Sequence, residues 1–108
     1  MIGDTEAQVL VVLVDAATDG PVHFGGLYQA FAETLSKDVS IGALHTTCER
    51  LVGKGYVESW YEDGGIARKG RPKRYFKITA NGHSVLKQKL ESYQKVLDLH
   101  KSGGLAWL

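Results

Sequence analysis

The chain has 108 residues, a formal net charge of +1 and 44% hydrophobic residues. This length predicts a single domain, and the composition is that of a globular protein rather than a disordered one. The longest apolar run, residues 9–14, has six residues, whereas a membrane span needs about 18. The one cysteine, Cys48, excludes an internal disulfide. Because residues 1–4 lack the basic and apolar regions of a secretory signal, we expect a cytoplasmic protein.

The charges are distributed unevenly. Residues 1–67 contain ten acidic and three basic side chains, whereas residues 68–108 contain two acidic and ten basic ones. Six of these bases lie within ten consecutive residues: Arg68, Lys69, Arg71, Lys73, Arg74 and Lys77. Such a cluster on a nearly neutral chain indicates a surface that binds a polyanion.

Two helices are predicted first. Residues 5–18 are apolar nearly all round and stop at a Gly-Pro pair, which predicts a largely buried helix capped by Thr5 with Gln8. Residues 23–35 place their apolar side chains on one helical face: Phe24, Leu27, Tyr28, Phe31, Ala32 and Leu35.

A third helix is predicted to start after Ser40, a good N-cap, and to stop at Gly53 and Gly55. Its apolar face would contain Ile41, Leu44, Cys48, Leu51 and Val52. Its opposite face, here named the outward row, has side chains that are small near the start and polar further on: Gly42, Ala43, His45, Thr46, Glu49 and Arg50.

The second half predicts a β-hairpin and a long helix. Aromatic and β-branched residues at 56–61 and 75–79 predict two strands. A glycine- and cation-rich tip, residues 64–72, joins them. Thr79 would cap a last helix over residues 80–100. Along that helix runs a stripe with the 3.5-residue spacing of a coiled coil, here named the seam: Leu86, Leu90, Tyr93, Leu97 and His100.

Three helices followed by a two-stranded wing predict a winged helix-turn-helix, a mainly α fold with a small β-hairpin. Residues 1–79 would form the DNA-binding part, and residues 80–108 the dimerisation helix and an apolar tail. The major groove is about 12 Å wide and admits one helix. We therefore expect the outward row of the third helix to enter it, with the wing on the adjacent backbone.

Two segments resemble PadR-family transcription regulators. Residues 40–57 (SIGALHTTCERLVGKGYV) resemble the family's recognition helix, and residues 70–82 (GRPKRYFKITANG) resemble its wing and the start of its last helix. The resemblance covers residues 5–100 and implies a dimeric repressor of the short subgroup. His45 stands where the family usually has tyrosine, and Cys48 where it usually has leucine.

The candidate partners follow from these patterns and the resemblance. We expect double-stranded DNA with an inverted-repeat operator, and a second copy of the chain paired through the seam. Some relatives hold planar hydrophobic compounds between their first and last helices at the dimer interface, which makes Tyr93 and Trp107 candidate effector contacts. The candidate DNA-binding residues are Ser40, Gly42, His45, Thr46, Arg50, Arg68, Lys69, Arg71, Lys73 and Arg74.

Several of these residues have a simpler interpretation. Ser40 is foremost a helix cap, and Arg50 is expected to pair with an acid or a phosphate rather than to read a base. Arg71 lies in Lys69-Gly70-Arg71-Pro72, which resembles minor-groove AT-hook peptides. Lys73, Arg74 and Lys77 alternate along the strand, so they are not all expected to face one partner.

No catalytic or metal-binding set is recognised. The Gly65-to-Gly70 spacing lacks the Lys-Ser/Thr ending of a phosphate-binding loop. His45 and Cys48 lack a second pair of metal ligands, and Cys48 is expected to be a small core residue rather than a redox sensor. We therefore expect neither an enzyme nor a cofactor. Two alternatives stay open: a MarR-like regulator, and a protein-interaction module whose basic wing binds an acidic protein surface.

Overall fold

The computed structural model describes residues 2–35, 38–62 and 72–101. Within them the chain forms four helices and a small sheet, which confirms the predicted fold class. The elements in chain order are α1 (Asp4–Ala16) with a 3-10 turn (Ala17–Asp19), β1 (Val22–His23), α2 (Phe24–Leu35), α3 (Ile41–Gly53), β2 (Val57–Tyr61), β3 (Arg74–Ile78) and α4 (Ala80–Lys101).

Helix α1 is the central element of the core, with Leu10 and Leu13 almost fully buried. Its start differs from the prediction. The cap is Gly3 rather than Thr5, and the Gly3 N–H donates to Glu6 Oε1 at 2.9 Å. A carboxylate three residues into the helix satisfies this N–H, so Gln8 is not needed for the cap. The helix is also less buried than expected, because Val11 and Val14 are each 40% exposed.

Helices α2 and α3 form the helix-turn-helix. The predicted apolar face of α2 is confirmed, with Leu27 and Phe31 buried. Ser40 caps α3 as expected, since Ala43 N–H donates to its Oγ at 3.0 Å.

The buried face of α3 differs from the prediction at its first residue. Ile41 is 60% exposed, whereas Thr47 is buried. Ile41 is the first residue of α3, and the Thr47 hydroxyl can be buried because it donates to the Ala43 carbonyl at 3.1 Å. The helix ends as predicted, with Gly55 in the left-handed conformation at φ +80°.

The sheet has three antiparallel strands in the order β1-β3-β2, one more than predicted. The unpredicted strand is β1, so His23 lies in a strand and not in the second helix. Two residues have no recognisable periodicity, and β1 forms only because β3 pairs with it, Val22 opposite Phe76 and His23 opposite Tyr75. Phe76 and Val57 face the core and are buried.

Helix α4 is anchored at its first turn. The Thr79 Oγ1 accepts from Gly82 N–H at 3.0 Å, which confirms the predicted cap. Gly82 packs on the Tyr56 carbonyl so closely that a Cβ would lie 2.1 Å from that oxygen. After Leu86 the helix extends away from the core, with residues 90–101 exposed. In the described ranges, no helix is both long and apolar enough to cross a membrane.

Candidate nucleic-acid interface

The outward row of α3 is exposed at all six positions. It contains no bulky apolar side chain, and its first half is shallow because Gly42 has open space where a Cβ would be. Thr46 is exposed, and its Oγ1 donates to the Gly42 carbonyl at 2.9 Å, so the lone pairs of this oxygen can still accept a hydrogen bond. This helix face has the shape and the polar groups that a DNA groove requires.

Arg74 joins α3 to the wing. Its guanidinium makes polar contacts with three of the described side chains: Nη2 lies 2.5 Å from Glu49 Oε1, Nε donates to Ser59 Oγ at 2.6 Å, and Nη1 is 3.5 Å from His45 Nε2. It also lies over the Phe76 ring, 5.0 Å from its centroid. The Arg74 side chain is only 17% exposed. The orientation of the hairpin relative to the outward row is therefore fixed by side-chain contacts.

The predicted cations of the wing divide into two groups. Arg68, Lys69 and Arg71 lie outside the described residues. Lys73 is exposed immediately before β3, beside the outward row. Arg74 and Lys77 face opposite sides of the sheet, as their odd spacing along the strand predicts.

A cavity of about 420 Å³ separates the start of α2 from the wing. His45 enters it from α3 with its ring edge-on to Phe24, 5.6 Å between centroids. His23 of β1 also lines it, and Lys73 and Arg74 line it on the wing side. Sequence reasoning missed His23 because it placed this residue in a helix. A strand of two residues has no recognisable periodicity, so no local signal in the sequence could have placed His23 there.

The seam residues beyond the first turns of α4 are uncovered. Leu86 is only 7% exposed, but Leu90, Tyr93 and Leu97 are between 42% and 45% exposed. His100 is also exposed, and Trp107 lies outside the described residues. Val96 and Leu99 widen the uncovered apolar stripe. An apolar stripe of this length on an exposed helix is typical of a surface that meets another helix.

Cys48 is buried in the core beneath the outward row, at 2% exposure. Burial raises the pKa of its thiol to about 12, which outweighs the opposing effect of Arg74. The thiolate, which is the reactive form, is therefore scarce at neutral pH. Across residues 2–35, 38–62 and 72–101, no three His, Cys, Asp or Glu side chains gather as a metal site requires.

Three helices, a wing and a long C-terminal helix in this arrangement define a winged helix-turn-helix. No protein-family profile matches the sequence. No curated protein matches it either. Solved structures do match, and several are PadR-family regulators, which confirms the expected resemblance at the level of the fold.

The similar structures cover most of this chain. A PadR-like transcription factor from Bacteroides fragilis has a TM-score of 0.73 at 18% identity, covering 91% of this chain and 87% of that one. A PadR family regulator from Eggerthella lenta has a TM-score of 0.70 at 22% identity, covering 94% and 83%. A mutant form of MarR from Escherichia coli has a TM-score of 0.69 at 23% identity, covering 95% of this chain but 65% of that one. These proteins are regulators and not enzymes.

Proposed function

We propose that this protein is a cytoplasmic, sequence-specific DNA-binding transcription regulator that acts as a homodimeric repressor. The observation that carries the proposal is the exposed outward row of α3, held beside the wing by Arg74. The wing sequence adds the densest group of cations in the chain. A groove-sized helix next to a cationic hairpin matches the shape and the charge of duplex DNA.

Each part of the chain has a role in this proposal. Residues 1–79 bind DNA, with Thr46 facing base edges, His45 in contact with the DNA beside it, and Ser40, Arg50 and the wing cations near phosphates. Residues 80–108 pair two protomers through the seam. A twofold dimer would present two α3 helices about 34 Å apart, one turn of duplex, which favours an inverted-repeat operator.

The test is a binding titration on the DNA that flanks the protein's own gene, located by footprinting. If each protomer neutralises three to five phosphates, the log–log dependence of affinity on salt should have a slope of about −5 to −9. Replacing Arg71 and Lys73 with alanine should weaken binding to all sequences alike. Thr46→Ala should instead change the preference among sequences.

The outcomes separate this proposal from its rivals. A slope near zero would remove the electrostatic argument. In a pulldown, an acidic protein that binds through the wing would be retained and not be displaced by added duplex DNA. That result would favour the protein-interaction module. The likeness to MarR keeps a MarR-like regulator as the alternative within DNA-binding proteins. Repression itself is tested by transcription in vitro from the footprinted promoter, where added protein should lower transcript yield.

A small hydrophobic effector is a second part of the proposal, and a specific feature favours it. A cavity of about 350 Å³ lies between α1, the end of α2 and α4, with Tyr93 and Leu90 on its α4 side. The Gln8 Oε1 oxygen beside it is buried and, among the described residues, has no hydrogen-bond partner. A buried unpaired acceptor is costly, so a planar apolar ligand that carries a hydrogen-bond donor fits this site.

The effector is tested with 2-naphthol as the probe. It should raise the melting temperature of the wild-type protein and weaken DNA binding. Gln8→Leu removes the acceptor and should abolish both effects, whereas Gln29→Leu, on the exposed side of α2, should retain them. An equal response in the two variants would argue against the cavity as the effector site. The role of Trp107 is tested in the same way by Trp107→Ala.

A further inference from the structure

We propose that the cavity between the start of α2 and the wing holds one backbone phosphate of duplex DNA, and that His23 and His45 are its pH-dependent donors. This inference rests on the proposed DNA-binding function and assigns part of the affinity to a site that includes His23, a residue that the sequence did not indicate. Its basis is a cavity of about 420 Å³ that is lined by four residues able to carry a positive charge: His23, His45, Lys73 and Arg74.

The position of His23 is determined by its neighbours. Its ring is edge-on to Tyr75, with 6.2 Å between centroids. On the other side it lies against the first turn of α2, where a Cβ at Gly26 would be 3.1 Å from the His23 Cε1 atom. Only a glycine at this position lets the imidazole approach the helix without a shift. The ring is therefore confined beside the cavity and is not a freely rotating surface side chain.

His45 is held by contacts of its own. Its ring is edge-on to Phe24 at 5.6 Å. Its Nε2 atom lies 3.5 Å from Arg74 Nη1, and because a guanidinium can only donate, this nitrogen can only be the acceptor in that contact. Protonation of His45 would place two positive charges, its imidazolium and the Arg74 guanidinium, next to each other, and they would repel. An anion that binds between the two cations removes this repulsion and makes protonation favourable.

The other charged groups around the cavity leave a cationic excess. Glu49 faces Arg74 from α3 and neutralises it in part. Glu62, at the end of β2, accepts from the Lys73 backbone N–H at 3.4 Å. Tyr61 and Tyr75 are the titratable aromatic side chains of the two adjoining strands.

With both imidazoles protonated, four cations face these two carboxylates, which leaves two positive charges for a phosphate. Charge-assisted hydrogen bonds of this kind are about twice as strong as neutral ones. Since histidine changes charge near neutral pH, the phosphate site should make DNA binding depend on pH.

The experiment measures the DNA dissociation constant of the full chain at about pH 6 and pH 8 and constant salt, because histidine changes charge within this interval. Wild-type affinity should increase about five- to twentyfold at the lower pH. This is the factor expected when protonation and DNA binding are moderately coupled. His23→Gln and His45→Gln should each lose most of this increase. His83→Gln, an exposed histidine on α4 outside this cavity, should retain it.

A second readout needs no substitution. In an NMR titration of the wild-type imidazoles, duplex DNA should raise the pH at which His23 and His45 lose their protons and leave that of His83 unchanged. Inorganic phosphate alone should produce a smaller shift in the same direction if free phosphate shares the site. Shifts of all four histidines together would indicate a general field effect and overturn the assignment.

The inference can fail separately from the proposed function. If the wild-type protein binds no duplex at either pH, the DNA-binding proposal is wrong. If it binds with an affinity that does not change with pH, or if His83→Gln loses as much of the pH effect as His23→Gln, DNA binding stands and the phosphate site is wrong.

Discussion

The Arg74 guanidinium lies 2.5 Å from the Glu49 carboxylate and connects the wing to α3. The pair is unequal in exposure, since the Arg74 side chain is 17% exposed and the Glu49 side chain 49%. Ser59 takes a further hydrogen bond from the arginine. Because Nε and Nη2 of this arginine are committed to Ser59 and Glu49, we assign it first to positioning the hairpin. Its Nη1, beside His45, is the part left to meet the phosphate proposed above, together with Lys73.

Arg74→Ala should lower the free energy of unfolding by about 2–3 kcal/mol, because Ser59 and Glu49 lose a charged partner and the Phe76 ring loses its cover. Glu49→Gln should lower the free energy of unfolding by about 0.5–1 kcal/mol, since the Glu49 carboxylate is half exposed. Urea denaturation measures both, and the double variant gives their coupling. Glu58→Gln, an exposed acid on the other face of the sheet, is the control and should change stability little. Strictly additive effects of Arg74→Ala and Glu49→Gln would contradict the contact.

Gly82→Ala should destabilise the protein by about 1–3 kcal/mol or more, as expected for an atom inserted into a packed site. The new Cβ would lie 2.1 Å from the Tyr56 carbonyl oxygen, which is backbone and cannot move aside cheaply. The matched control is Gly42→Ala, where a Cβ meets open space. In that helix it should be neutral or stabilising by up to about 1 kcal/mol. Equal melting temperatures for the two variants would show that α4 does not pack on Tyr56 in this way.

The contacts of the Glu6 carboxylate predict that the protein becomes less stable at acidic pH. Burial by itself would raise the pKa of its carboxyl, but the Gly3 N–H and the Lys54 ammonium, 2.8 Å from Oε2, outweigh burial and hold the pKa below its ordinary value of 4.5. A group whose folded pKa is lowered stabilises the fold above its ordinary pKa and loses this contribution as pH falls through the folded pKa. The melting temperature should therefore decline with increasing steepness below that ordinary value.

Glu6→Gln tests this assignment. It should make the melting temperature less dependent on pH in the acid range and lower the free energy of unfolding at neutral pH by about 1–2 kcal/mol. Asp4→Asn is the comparison. The pKa of Asp4 is also lowered, by hydrogen bonds from Tyr93 and Lys89, but its carboxylate is largely exposed and its effect should be smaller. A profile for Glu6→Gln that parallels the wild-type profile throughout the acid range would refute the role of this carboxyl.

The seam predicts a dimer. Sedimentation at micromolar concentration should give twice the chain mass of 11.8 kDa. Leu97→Glu should weaken the dimer at least about tenfold, because an unpaired charge would enter an apolar contact. Lys95→Glu introduces the same side chain on the opposite side of α4 and should leave the mass unchanged. A wild-type monomer at this concentration would contradict pairing through the seam.

Local patterns in the sequence predicted much of this structure. The caps at Ser40 and Thr79 and the left-handed glycine at Gly55 each depend on contacts within a few residues, so the sequence around them is sufficient. The apolar face of α2 and the seam of α4 follow from helical periodicity in the same way. Each of these predictions involves atoms of one element only.

The contacts that make a site could not be predicted in this way. Strand β1 has two residues and exists because β3 pairs with it, and His23 reaches its cavity only through that pairing. Arg74 is one of six clustered bases in the sequence, and nothing local distinguishes it from Lys73. Its ion pair with Glu49, 25 positions away, depends on how α3 and the wing pack against each other. Periodicity and capping determine the elements, whereas the packing of distant elements decides which side chains meet.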